Sequence, residues 1–162
     1  MSVENNMPFN PEQFLSSTFN ESNSTELLQV PEGEYTAVTE PVTAESFRTF
    51  DYKKGERAGQ KGVMLHLTWS INDESGALSE YLGRAPKVRQ SLTLDFGPGG
   101  TLEFGKGKNV SLGRLREAFN QNLTGRPWSF TMLGGQVARI KVKHRIDGGN
   151  TYAEVSEVTK LA

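Results

Sequence analysis

The sequence predicts a mainly β fold, built of antiparallel strands with a single helix, and three observations carry that prediction. Apolar and polar residues alternate with period two in several separate segments, as half-buried strands require. Seventeen glycines and seven prolines punctuate a chain of 162 residues that is 35% hydrophobic, which suits a turn-rich β protein with a modest core. Only one stretch, NVSLGRLREAFNQ, places apolar residues at three- and four-residue steps over a useful length.

Residues 1–29 are rich in Asn, Ser and Glu and read as a largely flexible acidic arm, with Phe14, Leu15 and Phe19 as isolated apolar anchors. Pro31-Glu32-Gly33 marks the entrance to a folded domain over residues 30–162. A first strand is predicted from Glu34 to Val42, with Tyr35, Ala37 and Val38 as core candidates and Pro41 ending regular pairing. Residues 43–61 form a long basic excursion, a loop or hairpin, from which one of Phe47 and Phe50 is expected to tuck into the core. The clearest strand follows: Val63, Leu65, Leu67, Trp69 and Ile71 alternate with Met64, His66, Thr68 and Ser70. After the turn Asn72–Gly76 comes a segment with no clear pattern, and then a third strand from Val88 to Phe96. In that strand Arg89, Ser91, Thr93 and Asp95 face away from the core. Gly97–Gly100 turns the chain, and Thr101–Phe104 is a candidate short strand.

The helix is predicted over 111–121, with Ser111 as its N-cap. Leu112, Leu115, Phe119 and Leu123 make its apolar stripe, Ala118 widens it, and Arg114, Arg116, Glu117 and Gln121 take the other face. A helix this short cannot bury its stripe alone, so it must lie on the strands. Trp128–Leu133 is predicted as a fourth strand, Gly134-Gly135 as a hairpin turn, Gln136–Ile146 as a fifth strand and Tyr152–Val158 as a sixth. Strands with one helix between the third and fourth main strands match an OB-fold-like Greek-key barrel whose helix plugs one end.

The absence of cysteine excludes disulfides and thiolate metal sites, and the two histidines, His66 and His144, stand far apart. No apolar run approaches membrane-spanning length, and no basic start precedes an apolar block at the amino end. No membrane association is expected, and the expected location is a host cytoplasm. The net charge of −1 conceals a strong asymmetry: residues 1–47 hold eight glutamates and no cation, while residues 48–162 carry all 18 Lys and Arg. A basic body with an acidic arm is the charge pattern of a polyanion binder.

Two stretches could make such contacts. In residues 47–61, Phe50 and Tyr52 interleave with Arg48, Lys53, Lys54, Arg57 and Lys61, the mixture with which nonspecific single-strand binders stack bases and hold phosphates. In VARIKVKHRI, Arg139, Lys141, Lys143 and Arg145 fall on alternate residues and share one face, about 6.6 Å apart. That row suits a phosphate backbone, and it equally suits a solvent-facing edge strand guarded by charge. GTLEFGKG nearly spells a phosphate-binding loop but has Gly107 where Ser or Thr would bind magnesium, so nucleotide hydrolysis is not expected. Its Lys106 and Lys108 remain candidate phosphate contacts. No catalytic constellation, cofactor site or metal site is expected.

The entrance VPEGEYTAVTEP, the strand GVMLHLTWSI and the closing VARIKVKHRIDGGNTYAEVSEV resemble the single-stranded DNA-binding proteins of tailed bacteriophages, an OB-fold group. The resemblance implies binding of exposed single strands during phage replication or recombination, without catalysis, by the aromatic and basic members of 47–61 and the cationic face of 139–145. It also implies partners among phage replication proteins, or self-association. Such proteins commonly carry an acidic tail, whereas here the acidic residues gather in the arm. The alternative is a virion structural protein, for capsid decoration or cement, whose arm reaches a neighbouring subunit.

Overall fold

The computed structural model describes residues 8–97 and 99–161; the first seven residues of the predicted arm, Pro98 of the predicted turn and the last residue of the predicted domain lie outside them. The strands are β1 (Gly33–Thr39), β2 (Phe47–Asp51), β3 (Lys61–Ile71), β4 (Lys87–Leu94), β5 (Val137–Asp147) and β6 (Asn150–Thr159). The helices are α1 (Pro11–Ser16), α2 (Ala77–Leu82) and α3 (Val110–Ala118). The fold is mainly β, a mixed six-stranded sheet in the order β1-β5-β6-β4-β3-β2, with β1 also pairing β3.

That extra pairing bends the sheet back on itself. β1 runs antiparallel to β5 on one side and to β3 on the other, through Ala37↔Ile71, Val38↔Ser70 and Thr39↔Trp69. The ring is incomplete between β4 and β6, which meet through a single parallel bridge, Arg89↔Glu154. Helix α3 lies against this opening: Ser111, Arg114 and Leu115 face Gln90–Leu92 of β4 and Val155–Thr159 of β6 across a shared cavity.

The core follows the predicted alternation. Leu65, Leu67, Trp69 and Ile71 of β3, Val88, Leu92 and Leu94 of β4, and Ala138, Ile140 and Val142 of β5 are buried together. The Trp69 indole N–H donates to Gln90 Oε1 at 3.0 Å, which satisfies both polar groups on the inner face. Val38, expected in the core, is 37% exposed, because Ala37 and Thr39 take the inward positions of β1. Phe47 packs on the core as expected of one of the two phenylalanines.

Helix α3 differs from its prediction at both ends. Its N-cap is Asn109, in the left-handed region at φ 51°, and not Ser111. Asn109 is held there by the end of β4: its Oδ1 accepts from the Asp95 N–H at 2.7 Å, and its own N–H donates to Asp95 Oδ2 at 2.9 Å. Its Nδ2 donates to the carbonyls of Asp95 and Glu103, both at 2.9 Å. The helix stops earlier than predicted, because Asn120 enters the left-handed region at φ 57°. The N–H groups of Asn120 and Gln121 then donate to the carbonyls of Glu117 and Arg116, a Schellman closure. Leu112 and Leu115 are buried and Phe119 is half-buried, whereas Leu123 lies beyond the helix and is 41% exposed.

Trp128–Leu133 is not a strand. It is an apolar strap ending in a 3-10 turn over Phe130–Leu133, and its partners come from α3, the end of that helix and β2. Arg116, expected on the solvent face, is only 9% exposed and stacks its guanidinium 4.2 Å from the Trp128 ring centroid. Gln121 accepts from the Trp128 indole N–H at 2.9 Å and donates to the Met132 carbonyl at 2.8 Å. Phe130 meets Trp128 and Phe47 edge to face. Gly134-Gly135 is accordingly a corner rather than a hairpin turn, fixed by the Gly135 N–H donating to the Thr39 carbonyl at 2.9 Å. Thr101–Phe104 forms no strand beyond an isolated bridge, Phe96↔Leu102. The unpatterned segment after the Asn72–Gly76 turn holds α2, over whose first turn Asp73 accepts from the N–H groups of Leu78 and Ser79.

Residues 8–28 are exposed throughout, and the chain joins the body at the buried Val30. There the Val30 carbonyl meets a His144 ring nitrogen at 2.7 Å, and Arg84 donates to the Leu28 carbonyl at 2.7 Å.

Candidate nucleic-acid interface

The basic, aromatic excursion of residues 47–61 is a hairpin. β2 pairs with the first half of β3 in the register Phe47↔Leu65, Arg48↔Met64, Thr49↔Val63, Phe50↔Gly62 and Asp51↔Lys61. Opposed residues of an antiparallel pair share a face, so Arg48 and Phe50 stand on the outer face with Gly62, Met64 and His66. The hairpin closes through the Tyr52 N–H donating to the Gln60 carbonyl and the Gly59 N–H donating to that of Tyr52, at 2.9 and 2.8 Å.

Phe50 and Tyr52 form the centre of this face. Their ring centroids lie 4.8 Å apart at 62°. Arg57 Nη1 donates to the Tyr52 hydroxyl at 3.2 Å, with its guanidinium 5.5 Å from the ring centroid. The same guanidinium lies 3.6 Å from Asp95, tying the hairpin tip to the end of β4. Lys53 and Lys54 project into solvent from the tip, and Lys61 pairs with Asp51 at 3.2 Å where both are well exposed. A surface pair of this kind opens readily when another anion arrives.

Gly62 makes room for the two rings. A Cβ there would clash with Phe50 Cζ and stand 2.8 Å from Tyr52 Cε2, and the backbone is not in a conformation reserved for glycine. Gly62→Ala should therefore expel the Phe50 ring from the sheet while leaving the strand intact. Loss of the Phe50–Tyr52 aromatic NOE, with a stability change below about 1 kcal/mol, is the expected result; a retained NOE would place the ring elsewhere.

β4 widens the face. The register Met64↔Thr93, His66↔Ser91 and Thr68↔Arg89 brings Arg89, Ser91 and Thr93 beside the outer residues of β3. A His66 ring nitrogen, Nδ1, lies 2.8 Å from Ser91 Oγ. Burial, together with the charges of Arg89 and Arg48, holds the His66 imidazole below the ordinary histidine range. His66, Arg89 and Ser91 belong to this surface although sequence reasoning did not select them. Strand alternation had put all three on outer faces, and the missing information was the β3–β4 register.

The row on β5 lies elsewhere. Arg139, Lys141, Lys143 and Arg145 do share the outer face, but β5 is separated from β4 by β6 and from β3 by β1. The flanking strands supply carboxylates in register: Glu34 opposite Lys141 from β1, and Glu157 and Glu154 opposite Lys141 and Lys143 from β6. Glu32, just before β1, accepts from the His144 N–H at 2.9 Å; that bond chiefly holds its carboxyl low, with Lys143 assisting. Arg145 is committed twice, to Glu154 at 2.8 Å and Asp147 at 3.2 Å, and stacks over Tyr152. A register shift at Lys141/Val142 puts one extra residue, Ser156, into β6 opposite the middle of the row. Around β5, then, four cations meet five carboxylates. Across β2–β4, Arg48, Lys53, Lys54, Arg57, Lys61 and Arg89 meet Asp51, Glu56 and Asp95, with Glu154 at the β4–β6 bridge already bonded to Arg145 and Lys87 paired with Glu40.

Lys106 and Lys108 are exposed on the segment between β4 and α3, with Phe104 beside them. Arg57 reaches the base of that segment at Asp95, so it borders the β2–β3 hairpin and not β5. Among the described residues no three or more His, Asp or Glu side chains converge as metal ligands do, and no helix is long and apolar enough to cross a membrane. Comparison with protein-family models gave no match to this chain, and comparison with curated proteins gave no significant match.

Proposed function

We propose that this chain binds single-stranded DNA, without catalysis, on the outer face of β2, β3 and β4. The reading rests on one observation above the others: the half-buried ring pair Phe50–Tyr52 sits beside Arg48 and Arg57, with Lys53 and Lys54 exposed at the hairpin tip. Sequence-tolerant single-strand binding needs aromatic faces for bases and cations for phosphates, side by side. The fold is read as OB-fold-like. Its support is the ring order β1-β3-β4-β6-β5, the parallel contact between β4 and β6, and α3 placed between the third and fourth ring strands. On this reading the protein serves phage replication or recombination in the host cytoplasm, with replication proteins or further copies of itself as partners.

The decisive measurement is the salt dependence of binding to a fluorescein-labelled oligothymidine, read by anisotropy. Each phosphate contact on a single strand contributes a log–log slope of about −0.7, so Lys53→Ala with Lys54→Ala should flatten the slope by about 1.4. Lys141→Ala with Lys143→Ala should change it by less, since that row already faces carboxylates. The reverse ranking would move the interface to β5.

A specific feature favours a second reading, as a virion structural protein. α1 carries an intact cap, with Asn10 Oδ1 accepting from the N–H groups of Glu12 and Gln13. Around it Phe9, Phe14 and Phe19 stack on one another in solvent at 5.3 and 5.7 Å. An exposed aromatic cluster on an arm suits contact with a neighbouring subunit in a capsid. Absence of oligothymidine binding at low salt would favour this reading over the first.

A further inference from the structure

Two arginines and a histidine lie on a diagonal across the outer face: Arg48 on β2, His66 on β3 and Arg89 on β4. Arg48 stands opposite Met64 and Arg89 opposite Thr68, the two residues that flank His66 on its own face of β3. Diagonal neighbours of this kind are about 7–8 Å apart, within reach of long side chains aimed at one point. Among the described residues, none of the three forms an ion pair. The carboxylate nearest in register to Arg89, that of Glu154, is bonded to Arg145. The groups facing His66 are thus Arg48 from β2 and Arg89 and the Ser91 hydroxyl from β4, with Met64 and Thr68 beside it on β3; no carboxylate is among them.

We propose that Arg48, His66 and Arg89 form a phosphodiester subsite in which His66 binds as the imidazolium. It rests on the single-strand reading above and adds to it a defined anion position and a coupled proton. Ser91 orients the ring: in the imidazolium, Nδ1–H donates to Ser91 Oγ, and Nε2–H is left to donate to a phosphate oxygen. Free His66 is neutral at neutral pH, since burial and the two arginines disfavour its charge. A phosphate between the arginines cancels their repulsion and adds its own attraction, so protonation becomes favourable once the strand is bound. The sign follows directly: binding takes up a proton, and affinity rises as pH falls.

The test uses the full chain and a labelled oligothymidine, whose bases do not titrate over the range, at constant ionic strength. Wild-type binding should be about tenfold tighter near pH 5 than near pH 8.5, the change that a shift of one pKa unit supports. His66→Gln should lose that gain, its affinity staying nearly flat between the two pH values. NMR titration of the wild-type His66 ring should show protonation at higher pH with the oligonucleotide than without it. Binding whose pH dependence survives His66→Gln, or a ring that titrates alike in both states, overturns the subsite and leaves single-strand binding standing. No binding at any pH overturns both.

Discussion

Leu115→Ala should lower the free energy of unfolding by about 2–5 kcal/mol, the cost of removing a fully buried leucine from a site that cannot close over the cavity. Leu115 is 1% exposed and sits where α3 covers the opening between β4 and β6. Only one bridge joins those strands, so the helix, not the sheet, seals the core there. Urea denaturation measures the effect, with Leu123→Ala as the control. Leu123 belongs to the same sequence periodicity but lies outside the helix and is largely exposed, so its truncation should stay within about 0.5 kcal/mol. Equal effects at the two positions would mean that α3 does not seal the core as described.

Tyr52→Ala should weaken binding to oligothymidine by about 1–3 kcal/mol while leaving the salt slope nearly unchanged, because a stacked base carries no counterion to release. Phe50→Ala should cost a similar amount. The rings touch, with centroids 4.8 Å apart, so the double substitution should cost less than the two singles added together. Tyr52 also holds Arg57 through its hydroxyl, and Tyr52→Phe separates that contribution from stacking. Anisotropy titrations at several salt concentrations measure all four variants. Unchanged affinity in Tyr52→Ala, with a folded protein, would remove the aromatic pair from the interface.

The elements were largely legible before the fold was known. Alternation from Val63 to Ile71 and from Val88 to Leu94 marked β3 and β4 with their inner and outer faces, because one buried face imposes period two. The stripe Leu112, Leu115, Phe119 located the start of α3 within one residue and overran its end by three. The same periodicity misled at its end: Leu123 continues the spacing, but the left-handed Asn120 has already turned the chain away. Trp128–Leu133 failed for a related reason. Its apolar run fits a buried strand or any other buried segment, and it was decided by Arg116 and Gln121, which give the Trp128 ring and its indole N–H their partners.

The candidate site divides along the same line. Composition and alternation were enough to mark residues 47–61 and the β5 row as basic, and to put His66 and Arg89 on outer faces. Neither could rank the two regions, because the charge a ligand meets depends on which strands lie alongside. Register places Glu34, Glu154 and Glu157 against β5, and puts His66 between Arg48 and Arg89 on the other side of the ring. Strand neighbours more than a hundred residues apart, such as Glu34 and Lys141, leave no trace in local spacing. They are chosen by the burial of the whole inner face at once, and the electrostatics of the outer face follow from that choice.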